Sequence, residues 1–254
     1  MFLVLNKKKI LFMLSGIALS VCIAVGAASY ATRKSCGDAH TTTNQSNCSP
    51  DSSTACFKKG YNFRRRSWQA GSDGAISANG VEESDINLKI VLKIQSLLEQ
   101  SGATVILTRS DENGISELDD ATIRQKHIQD LKNRVKIGNE SSADIFVSIH
   151  LNKIPQTQYS GAQTFFKNGN IDGEKLATSI QDSLNETIKT DKPRVPSKIS
   201  GVYIIDNVTI PLSIVECGFL SNPEEEALLQ TDAYQNKLAW GIYTGIMNYF
   251  YERL

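Results

Sequence analysis

The chain has 254 residues, with 27 basic side chains against 27 acidic ones and a formal net charge of +0. That balance leaves no basic surplus to hold a phosphate backbone, so bulk electrostatics exclude nucleic acid as the expected partner. At 41% hydrophobic content the chain can build one α/β domain plus an appendage, and it shows neither an internal repeat nor a glycine-rich phosphate loop.

Lys7, Lys8 and Lys9 precede an uncharged apolar stretch from Ile10 to Ala31, with small residues at Ala27, Ala28, Ser29 and Ala31. A basic flank before an apolar segment predicts a signal peptide or a membrane anchor over 1–31. Both readings export the rest of the chain, and the second ties it to a membrane. Residues 32–59 are rich in Ser, Thr and Asn and poor in large aliphatics, which predicts a linker. Cys36, Cys48 and Cys56 fall there without metal-ligand spacing, and Cys217 reads as a small core residue.

The spacing of Ile86, Ile90, Ile94 and Leu97 predicts a helix over 85–100, stopped by Gly102. Further helices are expected over 121–139, 174–188, 223–229 and 234–251. Ile128, Leu131 and Val135 form the inward face of the first of these. Strands are expected over 103–108, 144–150, 162–166, 202–205 and 213–217. Strands alternating with helices imply an α/β fold: a single catalytic domain with a largely parallel twisted sheet covered on both faces. Chemistry in such sheets gathers at the carboxyl ends of the strands.

His150 closes the apolar run from Phe146. It is open to two readings, a zinc ligand at the strand end or a satisfied edge histidine. Glu216 lies inside Ser213-Ile214-Val215-Glu216-Cys217-Gly218, where a carboxylate is costly unless paired, metal-bound or catalytic. Glu82 and Glu83 precede a helix, where acidic residues offset the backbone dipole without any further role. His127 sits on a charged helix and reads as part of a solvated face.

Together, Glu83-Ser84-Asp85-Ile86-Asn87-Leu88, Leu107-Thr108-Arg109, Asn139, Ser148-Ile149-His150-Leu151-Asn152 and Glu216-Cys217-Gly218-Phe219-Leu220-Ser221-Asn222 resemble the zinc-dependent N-acetylmuramoyl-L-alanine amidases. Gly161–Phe166 and the 243–250 tail look most like the germination-specific, spore-cortex branch. The resemblance implies hydrolysis of peptidoglycan at the bond between muramic acid and L-alanine. It implies Zn2+ held by two histidines and a glutamate, with a second glutamate as base. Carried over, Glu83 and His150 are ligands and Glu216 is the catalytic carboxylate, while Arg109, Asn139 and Asn222 are structural. An activating protein is left open. The competing readings are a cell-wall-binding homologue without catalysis, and a zinc carboxypeptidase, which the Glu216–Asn222 match disfavours.

One part of the pattern is missing. The family opens its domain with an apolar strand running into Asp-x-Gly-His-Gly, whose histidine is the first ligand. This chain has Gly60-Tyr61-Asn62-Phe63-Arg64-Arg65-Arg66-Ser67-Trp68-Gln69 there, an aberrant first strand at 60–70 of a domain expected over 60–254. Its histidines are His40, His127 and His150, and none lies in that strand. Read one nucleotide forward, codons for Gly60–Phe63 permit Val-Ile-Ile-Leu and those for the arginines permit Asp-Ala-Gly. Ser67 and Trp68 then permit His and oblige Gly. The segment is therefore compatible with a local frame shift, which would also reach back into 36–59.

Overall fold

Short β-rich runs alternating with amphipathic helices fold here into one sheet with helices on both faces. The computed structural model describes residues 2–5, 74–110, 115–116, 121–190 and 193–253. Of the expected signal or anchor at 1–31 only residues 2–5 are described, as a strand; the linker and the aberrant strand at 60–70 lie outside the described residues. Among the described residues, no helix is long and apolar enough to cross a membrane.

The strands are β1 (Phe2–Leu5), β2 (Val105–Leu107), β3 (Ile145–Asn152), β4 (Gln163–Lys167), β5 (Ser197–Ile199) and β6 (Leu212–Phe219). The helices are α1 (Glu83–Gln100), α2 (Ile123–Glu140), α3 (Ile171–Ile188), α4 (Tyr203–Asn207), α5 (Pro223–Leu229) and α6 (Asp232–Tyr251). Strand order is β2-β1-β3-β6-β4-β5. The α/β class holds, but the pairing is mixed rather than largely parallel. β3–β6 and β4–β5 are parallel, whereas β1–β2, β1–β3 and β4–β6 are antiparallel.

β3 and β6 form the centre and are apolar on both faces, as strands covered twice must be. On one face Ile145, Val147, Ile149, Val215 and Cys217 pack with Ile90 and Ile94 of α1, Leu176 and Ile180 of α3, and Ile242 and Ile246 of α6. Cys217 is a buried free thiol, as its place on the strand suggested. On the other face Phe146, Leu212 and Ile214 meet Ile204 and Ile205 of α4, with Leu131 and Val135 of α2 packed against them. α3 and α6 approach backbone to backbone: a Cβ on Gly245 would lie 2.4 Å from Ile180 Cα.

Two local expectations are corrected, and one strand was not expected. Residues 202–205 are not a strand; Tyr203–Asn207 is a helix that buries Ile204 and Ile205 side by side against β3 and β6. Burial of the pair outweighed the β propensity of the run. β5 had no signal, being a three-residue edge strand without an apolar face. Ile128 is 42% exposed, because α2 buries Asp130, Arg134 and Gly138 instead. Gly138 is there because the Phe146 ring stands where a Cβ would be, at 2.8 Å. Asp130 bonds the Arg134 guanidinium and accepts from Ile115 N–H, while Arg134 donates to Thr108 Oγ1, fastening α2 to the end of β2.

The sheet position between β2 and β3 is held by β1. Its residues pair Leu3 with Leu107 on one side and Leu3 with Val147 on the other. Phe2 pairs with Ser148, so the N-terminal end of β1 lies toward the carboxyl end of β3.

Candidate active site and its metal ligands

His150 and Glu216 face each other across the two central strands: they are Cα partners in the parallel β3–β6 ladder. The ladder shifts register just after, between His150 and Asn152. Such an irregularity bends a strand and re-aims its side chains, a common device beside active sites. Glu83, the first residue of α1, is buried and reaches the same edge. Its Oε1 lies 3.1 Å from His150 Nδ1, so the structure brings Glu83, His150 and Glu216 together.

The Glu83 carboxylate is held on all sides. Leu151 N–H and Asn87 Nδ2 donate to Oε1, both at 3.1 Å, and Ala75 N–H donates to Oε2 at 2.7 Å. Burial works to raise its pKa, but the His150 hydrogen bond and charge, with the two backbone donors, hold it down to about 2. The His150 side chain keeps 37% of its exposure. Desolvation on its packed sides lowers its pKa and the Glu83 hydrogen bond opposes that. The imidazole is therefore neutral at pH 7, which is the form that ligates a metal. At that pH the backbone donors, rather than an imidazolium charge, keep Glu83 ionised.

Glu216 is held differently. Among the described residues, its Oε2 is buried with no hydrogen-bond partner. Burial first, and then the Glu83 charge, push its pKa up to about 8. An orphaned, desolvated carboxylate beside a second acid is the usual signature of a group waiting for a proton or a cation.

This has a consequence for stability without metal. The folded pKa of Glu216 exceeds the ordinary 4.5, so the native state holds a proton that the unfolded state releases between pH 4.5 and about 8. The contribution of Glu216 is thus full below pH 4.5 and is lost as pH rises toward 8. Glu83 and His150 act in the opposite sense, each losing stability as pH falls through its lowered pKa. The difference between Glu216→Gln and the parent isolates the first term. In the presence of chelator, thermal melts should show the variant gaining on the parent from pH 5 to pH 8, by roughly 5–10 °C. A difference independent of pH would mean that Glu216 titrates normally.

The donor set suits zinc: one imidazole nitrogen and carboxylate oxygens. Two donors on one tetrahedral zinc stand roughly 3.3 Å apart, close to the 3.1 Å between His150 Nδ1 and Glu83 Oε1. Among the described residues, no three His, Cys, Asp or Glu side chains form a metal-sized group. The residues present would supply two ligands of the three that a catalytic zinc takes.

The remaining sequence candidates lie apart from this trio. Arg109 Nη2 donates to Ser84 O at 2.8 Å and pins the start of α1. Asn139 bridges α2 to the segment after α4 through Asn207 O at 3.0 Å and Thr209 N–H at 2.9 Å. Asn222 caps α5, its Oδ1 accepting from Glu224 N–H and Glu225 N–H at 3.0 Å each. His127 is exposed.

Sequence reading missed Glu225 and Glu226. Three successive acids at a helix start look like dipole compensation, yet both are buried. Glu226 accepts from Ser77 Oγ at 2.6 Å and Asn79 Nδ2 at 2.8 Å, holding the loop that leads to Glu83. Glu225 accepts from Gly161 N–H and Phe219 N–H, both at 2.8 Å, tying the start of β4 to the carboxyl end of β6 just past Glu216. Only the Ser77 and Asn79 loop, itself polar, hinted at a buried partner.

The comparisons with known proteins agree with this geometry. The profile of the N-acetylmuramoyl-L-alanine amidase family matches residues 40–248. The chain is 38% identical over 183 residues to the germination-specific N-acetylmuramoyl-L-alanine amidase of Bacillus subtilis, covering 72% of this chain and 77% of that one. The CwlD amidase of Clostridioides difficile, solved in complex with the GerS lipoprotein, superposes with a TM-score of 0.68 at 41% identity, over 70% of this chain and 92% of that one. An N-acetylmuramoyl-L-alanine amidase of Clostridium difficile 630 superposes with a TM-score of 0.61 at 31% identity, over 71% and 91%. With its matched sequence, its fold and its paired acid and imidazole at one sheet edge, the chain belongs to the N-acetylmuramoyl-L-alanine amidase family of hydrolases.

Proposed function

We propose that the chain cuts the amide between N-acetylmuramic acid and L-alanine in spore-cortex peptidoglycan, with Zn2+ held by Glu83, His150 and a third ligand, and with Glu216 as the catalytic carboxylate. The observation that carries this is the approach of Glu83 Oε1 to His150 Nδ1 at 3.1 Å, with Glu216 opposite His150 on the next strand. Zinc, when bound, supplies Lewis acidity toward the amide carbonyl and lowers the pKa of water.

The chain's own residues do the rest. Glu83 is kept ionised by its backbone donors, and His150 is kept neutral by its surroundings. Glu216 carries the proton: its free Oε2 takes one from the attacking water and returns it to the amine that leaves on L-alanine. The basic-then-apolar segment at 7–31 supports export, as a wall hydrolase requires. An accessory protein on that side is part of the proposal, since the similar Clostridioides amidase was solved with a lipoprotein.

Product analysis tests the reading. Purified cortex peptidoglycan, digested with the chain carrying a restored Asp-Ala-Gly-His-Gly motif, should yield peptides with a new N-terminal L-alanine and leave glycan chains whole. New reducing sugar ends, or new termini elsewhere in the peptide, would assign a different bond.

A further inference from the structure

The site edge continues past Glu216 onto the next strand. Gln163 of β4 is the Cα partner of Glu216, as His150 is on the other side. Directly opposed residues project from the same face of a sheet, so His150, Glu216 and Gln163 form a row across β3, β6 and β4. Strands lie about 4.8 Å apart, which puts Gln163 one strand beyond the catalytic carboxylate.

Gln163 holds an arginine there. Its Oε1 accepts from Arg194 Nη1 at 2.9 Å, and its Nε2 donates to Ser197 Oγ at 2.9 Å, which fixes the amide's orientation. Arg194 Nε donates to Ser160 O at 3.0 Å, and the guanidinium lies 4.9 Å from the Phe219 ring centroid. Two hydrogen bonds and a stacked ring immobilise the group, yet they use only part of it. Among the described residues, the Nη2 donors and the second Nη1 donor have no partner. Glu225, the acid close by, spends its two oxygens on Gly161 N–H and Phe219 N–H instead. Tyr159, 45% exposed and 6.3 Å from Phe219 between ring centroids, adds an aromatic wall.

A fixed, half-buried guanidinium with open donors, held by the residue that pairs with Glu216, has the chemistry of a carboxylate receptor. We infer that Arg194, positioned by Gln163, binds the free α-carboxylate of the stem-peptide residue that follows L-alanine. The assignment rests on the amidase reading of Glu216. That carboxylate stands about 6 Å from the scissile nitrogen, less than two residue lengths of 3.8 Å, and neighbouring strands lie about 4.8 Å apart. The Gln163–Arg194 pair is thus a specificity element, separate from the groups that move protons.

Binding of two soluble ligands to the full chain in chelator, where no zinc is held to cut them, tests this without turnover. N-acetylmuramoyl-L-alanyl-D-glutamate carries the carboxylate, and its D-isoglutamine analogue carries an amide there. Calorimetric titration should show the acid binding roughly 10-fold tighter than the amide, as charge-assisted hydrogen bonds do. Arg194→Gln should erase the difference by weakening the acid alone, while Arg194→Lys should keep part of it. A merely structural role for Arg194 would weaken both ligands equally. Equal affinities in the parent, or no measurable binding of either, would overturn the assignment. The release of L-alanine-terminated peptides from peptidoglycan decides the amidase reading independently.

Discussion

Glu216→Gln should leave zinc bound and slow hydrolysis about 10²–10⁴-fold, the loss typical of a missing general base. The measurement is kcat on cortex peptidoglycan alongside zinc content, in the chain with its first-strand motif restored. The substitution is nearly isosteric, and the side chain contributes nothing to the Glu83–His150 contact, which is closed by Asn87, Ala75 and Leu151. Metal binding should therefore survive. What is removed is the ability to accept a proton at Oε2, which among the described residues is buried without a partner. Its position also explains the required poise. Burial and the Glu83 charge raise its pKa to about 8, whereas a divalent cation beside it would draw that value down. Near-normal turnover in the variant would place the base elsewhere. Loss of zinc with turnover would make Glu216 a ligand.

How much of this was legible in the sequence depends on what each residue answers to. Ile86, Ile90 and Ile94 repeat at helical spacing and are buried against β3, so α1 could be read at once. The central strands were equally plain, because burial on both faces forces continuous apolar runs. Strand direction was not legible. β4 runs antiparallel to β6, and nothing in Gln163–Lys167 records that. The Tyr203–Asn207 helix was missed because Val, Tyr and Ile favour strands locally, while packing under Phe146 and Ile214 decided otherwise.

The site shows the same division. His150 and Glu216 announced themselves as polar residues inside apolar strands. Glu83 did not, since an acid at a helix start has an ordinary explanation; the 67-residue gap to its His150 contact is closed only by the fold. Glu225, Glu226 and Arg194 act through backbone and side-chain partners far away in sequence, so their own spacing does not set them apart.

Replacing Tyr61–Gln69 by an apolar strand followed by Asp-Ala-Gly-His-Gly should raise zinc affinity by about 100-fold or more, and hydrolysis with it. As ligands, Glu83 and His150 would leave one protein position of a three-ligand site unfilled. The slot between β2 and β3 takes a short strand, here Phe2–Leu5 running antiparallel to both neighbours. A strand in the same slot running parallel to β3 would end at the edge where His150 and Glu83 stand, so the residues following it would enter the site. That is where Asp-Ala-Gly-His-Gly would fall. Export would free the slot to receive it. Residues 2–5 precede the Lys7–Lys9 flank and the apolar stretch at 10–31. If that stretch is cleaved or inserted in a membrane, β1 is parted from the domain, and β2 and β3 are left with unpaired edges. An apolar strand restores those hydrogen bonds, whereas Arg64, Arg65 and Arg66 would carry charge into a sheet centre. Stability should therefore rise with affinity, by several degrees in Tm even in chelator, where metal cannot contribute. Competition with a zinc-binding dye and melting of the two full chains would check both. If the present sequence already binds one zinc tightly, or the replaced strand leaves affinity unchanged, the third ligand comes from elsewhere in the chain.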